Sequence, residues 1–310
     1  MKNTIEIIRA GIFSSIQDLK RVGFKKYGIP KSGPMDDQSH IMANWLVGNN
    51  IYSETIEITF SGPKIKFLFN TKIGLCGVKT PVFINDKEIK MNKTIKIKSG
   101  EILDIKNCST GNRIYLSIMG EMRLKKNFNS LSTYDKITLG GVNGRKLMKG
   151  DIIKFKKKKF NEDRFIPEIL IRNHNDKIIR VIKGPEYYLI NEKSINKSFI
   201  VTSLSDRMGI RLSGNKIKLN SNSGIDSSVV YEGTIQVPPD GNPIVLMRDA
   251  QTTGGYPRIG VISRVDISKL SQIKFNQKIK FKFITLNESE SLINFEKRKF
   301  KSKLGIDLSS

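Results

Sequence analysis

Along most of this chain apolar and polar residues alternate with a period of two, the pattern of strands that turn one face to a core. Segments 4–8, 55–60, 64–69, 114–119, 152–155, 178–182, 229–237, 244–247 and 278–284 all read as strands. Segments 94–98 and 101–106 flank Ser99-Gly100, which predicts a tight hairpin. Helical periodicity is rare. One helix is expected from Asp36 to Gly48-Asn49, where Ile41, Met42, Trp45 and Leu46 share a face, an acidic pair opens it and glycine stops it. A second is expected over 287–300, with Leu292, Ile293 and Phe295 as its stripe, and short turns over 185–191 and 266–271. Strands do not alternate regularly with helices, so the expected class is β-rich α+β, not a doubly wound sheet.

Length adds a division. At 310 residues the chain can bury a sizeable core, and two domains or one large one are expected. The least patterned and most charged stretch, 156–177, is where the boundary is expected. Each half also opens with a strand containing Ile-Ile-Arg, at 7–9 and 178–180. With two cysteines, Cys76 and Cys108, both on expected strands, a disulfide scaffold is excluded and buried, inert thiols are the default. Glu6 and Arg9 interrupt any leader-like apolar run, and no apolar stretch is long enough to span a membrane. The expected location is the cytoplasm.

The chain carries 54 Lys+Arg against 29 Asp+Glu, a net charge of +25, which raises the question of a nucleic-acid partner. The excess is mostly lysine, dispersed among Ile and Asn, and its densest run, Lys156 to Lys159, reads as a solvated face. No RNA-binding aromatic motif, zinc-finger spacing or helix-turn-helix pattern accompanies it, so neither nucleic acid nor membrane is an expected partner.

Four segments stand out from the Lys/Asn/Ile background. The first runs from Gln17 through Asp18, Lys20, Arg21 and Gly23 to Ser32, Gly33 and Asp36, placing glycines, prolines and a serine directly before a helix. That arrangement suits an anionic oxygen, and it equally suits a turn capped by Asp36 or Ser32. The second, 205–209, sets Asp206 beside Arg207, able to orient a guanidinium or to form a local ion pair. The third, 233–241, ends a strand in Pro-Asp-Gly and carries Gln236, whose amide could read a substrate. The fourth, 248–258, is the densest: Arg248, Asp249, Gln251, Thr252, two glycines, Tyr256 and Arg258. Nucleotide loops of the Walker and G-x-G-x-x-G types are absent, and two histidines, His40 and His174, leave no basis for a histidine triad or a metal cluster. His40 reads as a helix-surface or capping residue. Acid–base candidates are therefore Asp36, Asp249 and Tyr256.

Taken in order, these stretches resemble the family named for allophanate hydrolase subunit 2, also described as the biotin-dependent carboxyltransferase-like family, which includes the C subunit of bacterial ATP-dependent 5-oxoprolinase. The residues that carry the likeness are 17–36, 43–49, 57–63, Asn143-Gly144-Arg145 with Gly150-Asp151, 205–209 and 233–256. The resemblance implies two cyclophilin-like β-barrel lobes with a groove between them: an N-terminal lobe over 1–160, a linker over 161–177, a C-terminal lobe over 178–290 and a basic tail over 291–310. It implies work with a sister subunit of the same superfamily and a further oxoprolinase subunit, on a small-molecule substrate. In the oxoprolinase the reaction opens the lactam of 5-oxo-L-proline to L-glutamate at the expense of ATP; in urea carboxylase the related region takes a carboxyl group from carboxybiotin.

On this resemblance Arg21, Ser32 and the Gly33 backbone would line one wall for substrate. Gln236, Gln251, Thr252, Tyr256 and Arg258 would line the other. Asp18 and Arg207 would support them, and Asp36 or Asp249 would handle protons. ATP is implied as a cofactor without an assignable site. Biotin is not expected, since no Ala/Val-Met-Lys-Met sequence is present and Met91 lies in another context. Lys20 stands where the family has glycine, placing an extra charge beside the anion site or marking a relaxed loop. The leading expectation is an oxoprolinase subunit; a urea-type carboxyltransferase subunit and a non-catalytic regulator that binds a kinase inhibitor are the alternatives.

Overall fold

In the computed structural model, which describes residues 3–173, 175–220 and 225–308, the period-two segments of the first half become two sheets over one shared core. A seven-stranded sheet runs in the order Glu121–Met122, Ile152–Lys156, Thr4–Arg9, Lys64–Phe67, Ile102–Ile105, Val82–Ile84 and Lys87–Ile89. A five-stranded sheet runs Phe13–Gln17, Thr55–Thr59, Arg113–Ile118, Thr71–Gly77 and Thr94–Ile97. Ile5, Ile7, Ile65 and Leu103 from the first meet Ile16, Ile56, Leu75 and Leu116 from the second. These strands and their loops form one compact unit, Met1–Phe24 with Lys31–Ile171; the other is Lys25–Pro30 with Arg172–Ser310.

The expected hairpin at Ser99-Gly100 is not one. Thr94–Ile97 pairs with Thr71–Gly77, whereas Ile102–Ile105 pairs with Lys64–Phe67 and Val82–Ile84, so the turn is a corner between sheets. A hairpin would set Ile95, Ile97, Leu103 and Ile105 side by side in one sheet; the corner lets them enter the same core from both sheets.

The helix α1 (Asp37–Leu46) packs on the five-stranded sheet, chiefly over Thr71–Gly77 and Arg113–Ile118. Asn44 anchors it, donating to the Ser53 carbonyl at 2.8 Å and accepting from Ser117 Oγ at 2.7 Å. His40 is fully buried and not on the helix surface: its Nδ1 lies 2.9 Å from Thr55 Oγ1, because α1 is covered on the side that carries it. Gly74 lets the helix come close, since a Cβ there would lie 2.4 Å from the Ala43 carbonyl oxygen. Residues 164–166, within the expected linker, bind to the first unit: Arg164 lies 4.6 Å over the rings of Trp45 and Phe160, and Ile166 donates to Asn92.

The second unit is a closed seven-stranded barrel, in the order Ile178–Lys183, Arg258–Ile262, Thr234–Gln236, Ile244–Leu246, Gly209–Ser213, Ser198–Val201 and Lys278–Phe283, the last pairing in parallel with the first. The expected strand over 229–237 is two. Ser228–Val229 pairs with Thr253–Gly254 in a small ribbon, and Gly233, at φ 86°, turns the chain so that Ile235 enters the barrel. Around the barrel stand α2 (Glu192–Ile195), α3 (Arg264–Ser271) and α4 (Leu286–Leu304). A Thr285/Glu288 capping box opens α4, and Phe300 and Leu304 are buried, so residues 291–304 are a packed helix and not a tail. The β-rich α+β expectation is met. Among the described residues no helix is long and apolar enough to cross a membrane.

Arg180 ties the barrel to α3. Its guanidinium meets both oxygens of the fully buried Asp266, at 2.8 and 2.7 Å, and its backbone N–H donates to the same carboxylate. Burial alone would raise the Asp266 carboxyl, but those hydrogen bonds and the Lys269 and Arg180 charges outweigh it and hold it below its usual range.

Two outcomes are expected. Gly74→Ala forces α1 outward against backbone and should cost about 1–3 kcal/mol in urea unfolding. Because the folded Asp266 binds its proton more weakly than the unfolded one, its contribution is complete above the ordinary value of 3.8 and drains away as pH falls below it. An Asp266→Asn chain should therefore show a shallower acid-side loss of stability than the native chain.

Candidate functional site

The parts of the Gln17-to-Asp36 segment that belong to the first unit bury Gln17, Asp18, Arg21, Ser32 and Asp36. Asp18 accepts from Ser130 Oγ at 2.5 Å, from the Leu131 N–H at 2.8 Å and from Ser132 Oγ at 2.8 Å. Arg21, 1% exposed, donates to the Ser132 carbonyl at 2.5 Å, so the 130–132 loop holds both expected residues. Lys20 faces Glu54 at 3.9 Å. Ser32 is fully buried in a left-handed conformation, φ 50°, and its hydroxyl has no hydrogen-bond partner among the described residues. Gly33 donates to Gln17 Oε1 at 3.1 Å, and its φ of 95° brings it against the Asp18 carbonyl.

Asp36 is the N-cap of α1, accepting from Ser39 N–H and Oγ. Its own N–H donates to Tyr115 Oη at 2.8 Å, and that hydroxyl donates to Glu57 at 2.7 Å. Glu57 also accepts from the Met35 N–H at 2.8 Å. Burial, followed by the Glu57 and Asp36 charges, pushes the Tyr115 phenol well above its ordinary value; burial and Asp36 do the same to the Cys76 thiol. Asp36 is thus enclosed as a cap. Glu57 and Tyr115 were not singled out from the sequence, although a carboxylate inside the otherwise uncharged strand Thr55–Thr59 was the available signal.

In the second unit a cavity of about 520 Å³ opens against barrel strands Thr234–Gln236, Ile244–Leu246 and Gly209–Ser213. It brings together three expected residues, Gln236, Gln251 and Tyr256, with Asp206, Arg211 and Asp240, which the sequence reading did not place there. Gln236 is the buried member. Its Nε2 donates to the Tyr256 carbonyl and its Oε1 accepts from Gln251 Nε2, each at 3.3 Å. Gly254 makes room for it, since a Cβ would lie 2.7 Å from Gln236 Nε2. Tyr256, 45% exposed, stands at the edge with its phenol accessible. Asp206 and Asp240 are engaged locally, the first by the N–H groups of Met208 and Gly209, the second by Asn242, whose hydrogen bonds lower the Asp240 carboxyl.

The remaining expected residues lie beside the cavity or in its supports. Arg258 is paired across the ladder from Gln236 and held by Glu186 at 2.9 and 2.6 Å. The hydrogen bond from Arg258 is the main reason that the Glu186 carboxyl lies below its usual range. Thr252 is half-buried and accepts from the Val230 N–H through its carbonyl. Arg207 does not pair with Asp206: Asp206 is occupied by its own turn, and Arg207 reaches Asp249, Nε to Oδ2 at 2.7 Å, with both side chains buried. His174 lies outside the described residues.

What this arrangement offers chemically is a carboxamide pair and a phenol beside a cavity, with charges held behind them by salt bridges. A buried pair of this kind is costly to break from one side. Arg207→Met should destabilise the chain by about 3–5 kcal/mol in urea unfolding by taking a buried ion-pair partner from Asp249, and the double variant Arg207→Met/Asp249→Leu should recover part of that loss.

The same chain is similar to known proteins along almost its whole length. Residues 27–283 match the family described as carboxyltransferase domain, subdomain A and B. The C subunit of the 5-oxoprolinase of Escherichia coli (strain K12) is 34% identical over 291 residues, covering 92% of this chain and 93% of its own. The urea amidolyase of Saccharomyces cerevisiae is 30% identical over 93% of this chain and 17% of its own length. The crystal structure of the K. lactis urea amidolyase superposes with a TM-score of 0.90 at 28% identity, over 96% of this chain and 20% of that one. Agreement in sequence and in three dimensions to this extent makes the chain a member of the carboxyltransferase domain family, subdomain A and B.

Proposed function

We propose that this chain is a subunit of a cytoplasmic, ATP-dependent 5-oxoprolinase, which opens the lactam of 5-oxo-L-proline to L-glutamate together with sister subunits. The observation that carries the reading is extent: the likeness to the 5-oxoprolinase C subunit runs over almost all of both chains, whereas the urea amidolyases contain this chain as a small fraction of their length. The cavity chemistry supports it. A lactam presents a carbonyl acceptor and an N–H donor side by side, and a glutamine carboxamide is the complementary pair. In this reading Gln236 and Gln251 orient the lactam, and the Tyr256 phenol exchanges a proton with it. Asp249 acts through Arg207, Asp36 through the start of α1, and Arg21, Ser32 and Asp18 hold the loop before that helix. ATP is not assigned to any residue here.

A second reading, carboxyl transfer from biotin in a urea-type system, draws on the family description and on the urea amidolyase superposition. Co-purification with the sister subunits, followed by assay of 5-oxo-L-proline-dependent ATP hydrolysis and glutamate release, separates the two. The oxoprolinase reading expects both activities, and an intact complex lacking both overturns it. Within an active complex, Gln236→Leu and Tyr256→Phe should each lower kcat/KM by about tenfold or more while the complex still assembles.

A further inference from the structure

Lys25 is a cation that the second unit receives from early in the chain. It lies in the single turn Lys25–Tyr27, part of the six residues Lys25–Pro30 that pack with the second unit. Its ammonium sits 5.3 Å from the centroid of the Tyr231 ring, and the side chain is partly withdrawn from water. Its carbonyl accepts from the Gly28 N–H, but among the described residues its ammonium makes no hydrogen bond and no ion pair, although it carries three donors.

The neighbouring charges are differently placed. Arg248 meets Glu232 at 2.7 Å, and Arg258 meets Glu186 at 2.6 Å. Each arginine has a carboxylate of its own, so across these five groups the surplus is one positive charge, located on Lys25. Burial is the main influence that lowers the Lys25 ammonium from its ordinary value; Glu232 opposes it and Arg248 adds to it. An arriving anion would offset the hydration that the ammonium has lost. The surroundings also suit an organic anion: Tyr231 is 59% exposed and Val229 is 52% exposed. Arg258 Nη1 fixes the Val229 carbonyl at 3.2 Å, so this apolar edge is braced.

We infer that Lys25 and Tyr231 form a binding site for a small monocarboxylate, the ammonium pairing with the carboxylate and the exposed ring and Val229 receiving its apolar part. The ligand class follows from a surplus of one charge beside an apolar edge. Naming 5-oxo-L-proline as its physiological member rests on the function proposed above, whereas the site itself does not.

The test is calorimetric titration of the full chain with 5-oxo-L-proline, with acetate and with 2-pyrrolidinone, the same lactam without its carboxylate. The native chain should bind both carboxylates. Lys25→Met should weaken both by about tenfold or more, Lys25→Arg should retain them, and the response to 2-pyrrolidinone should be the same in all three chains. Carboxylate binding should also fall with rising pH at a lower pH than an ordinary lysine would give, since the protonated Lys25 does the binding among Tyr231, Glu232, Arg248 and Arg258. Equal carboxylate affinity in native and Lys25→Met chains of matching thermal stability overturns the site, as does absence of carboxylate binding to the native chain. If acetate binding depends on Lys25 while the assembled complex has no oxoprolinase activity, the proposed function falls and the site stands.

Discussion

A segment that leaves regular secondary structure and still runs through a protein interior must find acceptors for its own backbone N–H groups, because water no longer supplies them. The approach to α1 is built around that requirement. Gly33 is received by Gln17, Met35 by Glu57, Asp36 by Tyr115 and Ser39 by Asp36, while Leu131 in the adjoining loop is received by Asp18. Five side chains thus do for an irregular path what a ladder does for a strand. Glu57 takes two of these donors, counting the Tyr115 hydroxyl, and the start of the helix follows from where it stands. Gln17, Asp18, Gly33 and Asp36 are accounted for by that role.

The second unit solves a different problem with fewer pieces. Its barrel hides its backbone groups by closure, so polar side chains are free to be gathered at one place. Gln236 projects from a strand with its amide in contact with Gln251 and the Tyr256 carbonyl, and Gly254 permits the approach. Behind it the arginine–carboxylate pairs fix the strand ends and loops. The two units therefore present their chemistry in opposite ways, one through an internal backbone-holding network, the other through carboxamides at a cavity.

How much of this could be read from the sequence depended on the range of the interaction. Alternation located Thr4–Arg9, Ile152–Lys156 and Ile178–Lys183, since one buried face is a local property, and it located Thr55–Thr59 although both faces of that strand are buried. The start of α1 at Asp36 and its end before Gly48 were legible for the same reason. Short strands such as Val82–Ile84 and Lys87–Ile89 carry too few residues to show a period, and Ser99-Gly100 looks identical whether it joins partners or opposite sheets. Gln236, Gln251 and Tyr256 stood out in the sequence because unusual residue types crowd into short stretches, and the structure sets them around one cavity. Glu186 and Lys25 did not stand out because their partners lie tens or hundreds of residues away, and of the two expectations for Arg207, a local ion pair or a guanidinium turned to another carboxylate, the structure shows the second, with Asp249. The densest charge run was legible for the opposite reason: Lys156 to Lys159, read as a solvated face, are all exposed.

The parallel seam of the barrel joins Ile178–Lys183 to Lys278–Phe283, strands that bracket nearly the whole second unit. During synthesis the first of these strands leaves the ribosome about a hundred residues ahead of the last, a wait of roughly 5–20 s at ordinary elongation rates. Over that interval Ile178–Lys183 and Ser198–Val201, the two strands that the last one joins, each keep an unpaired edge, and open strand edges of this kind recruit foreign strands. Closure of the ring thus depends on the order in which the two sides of one seam are made.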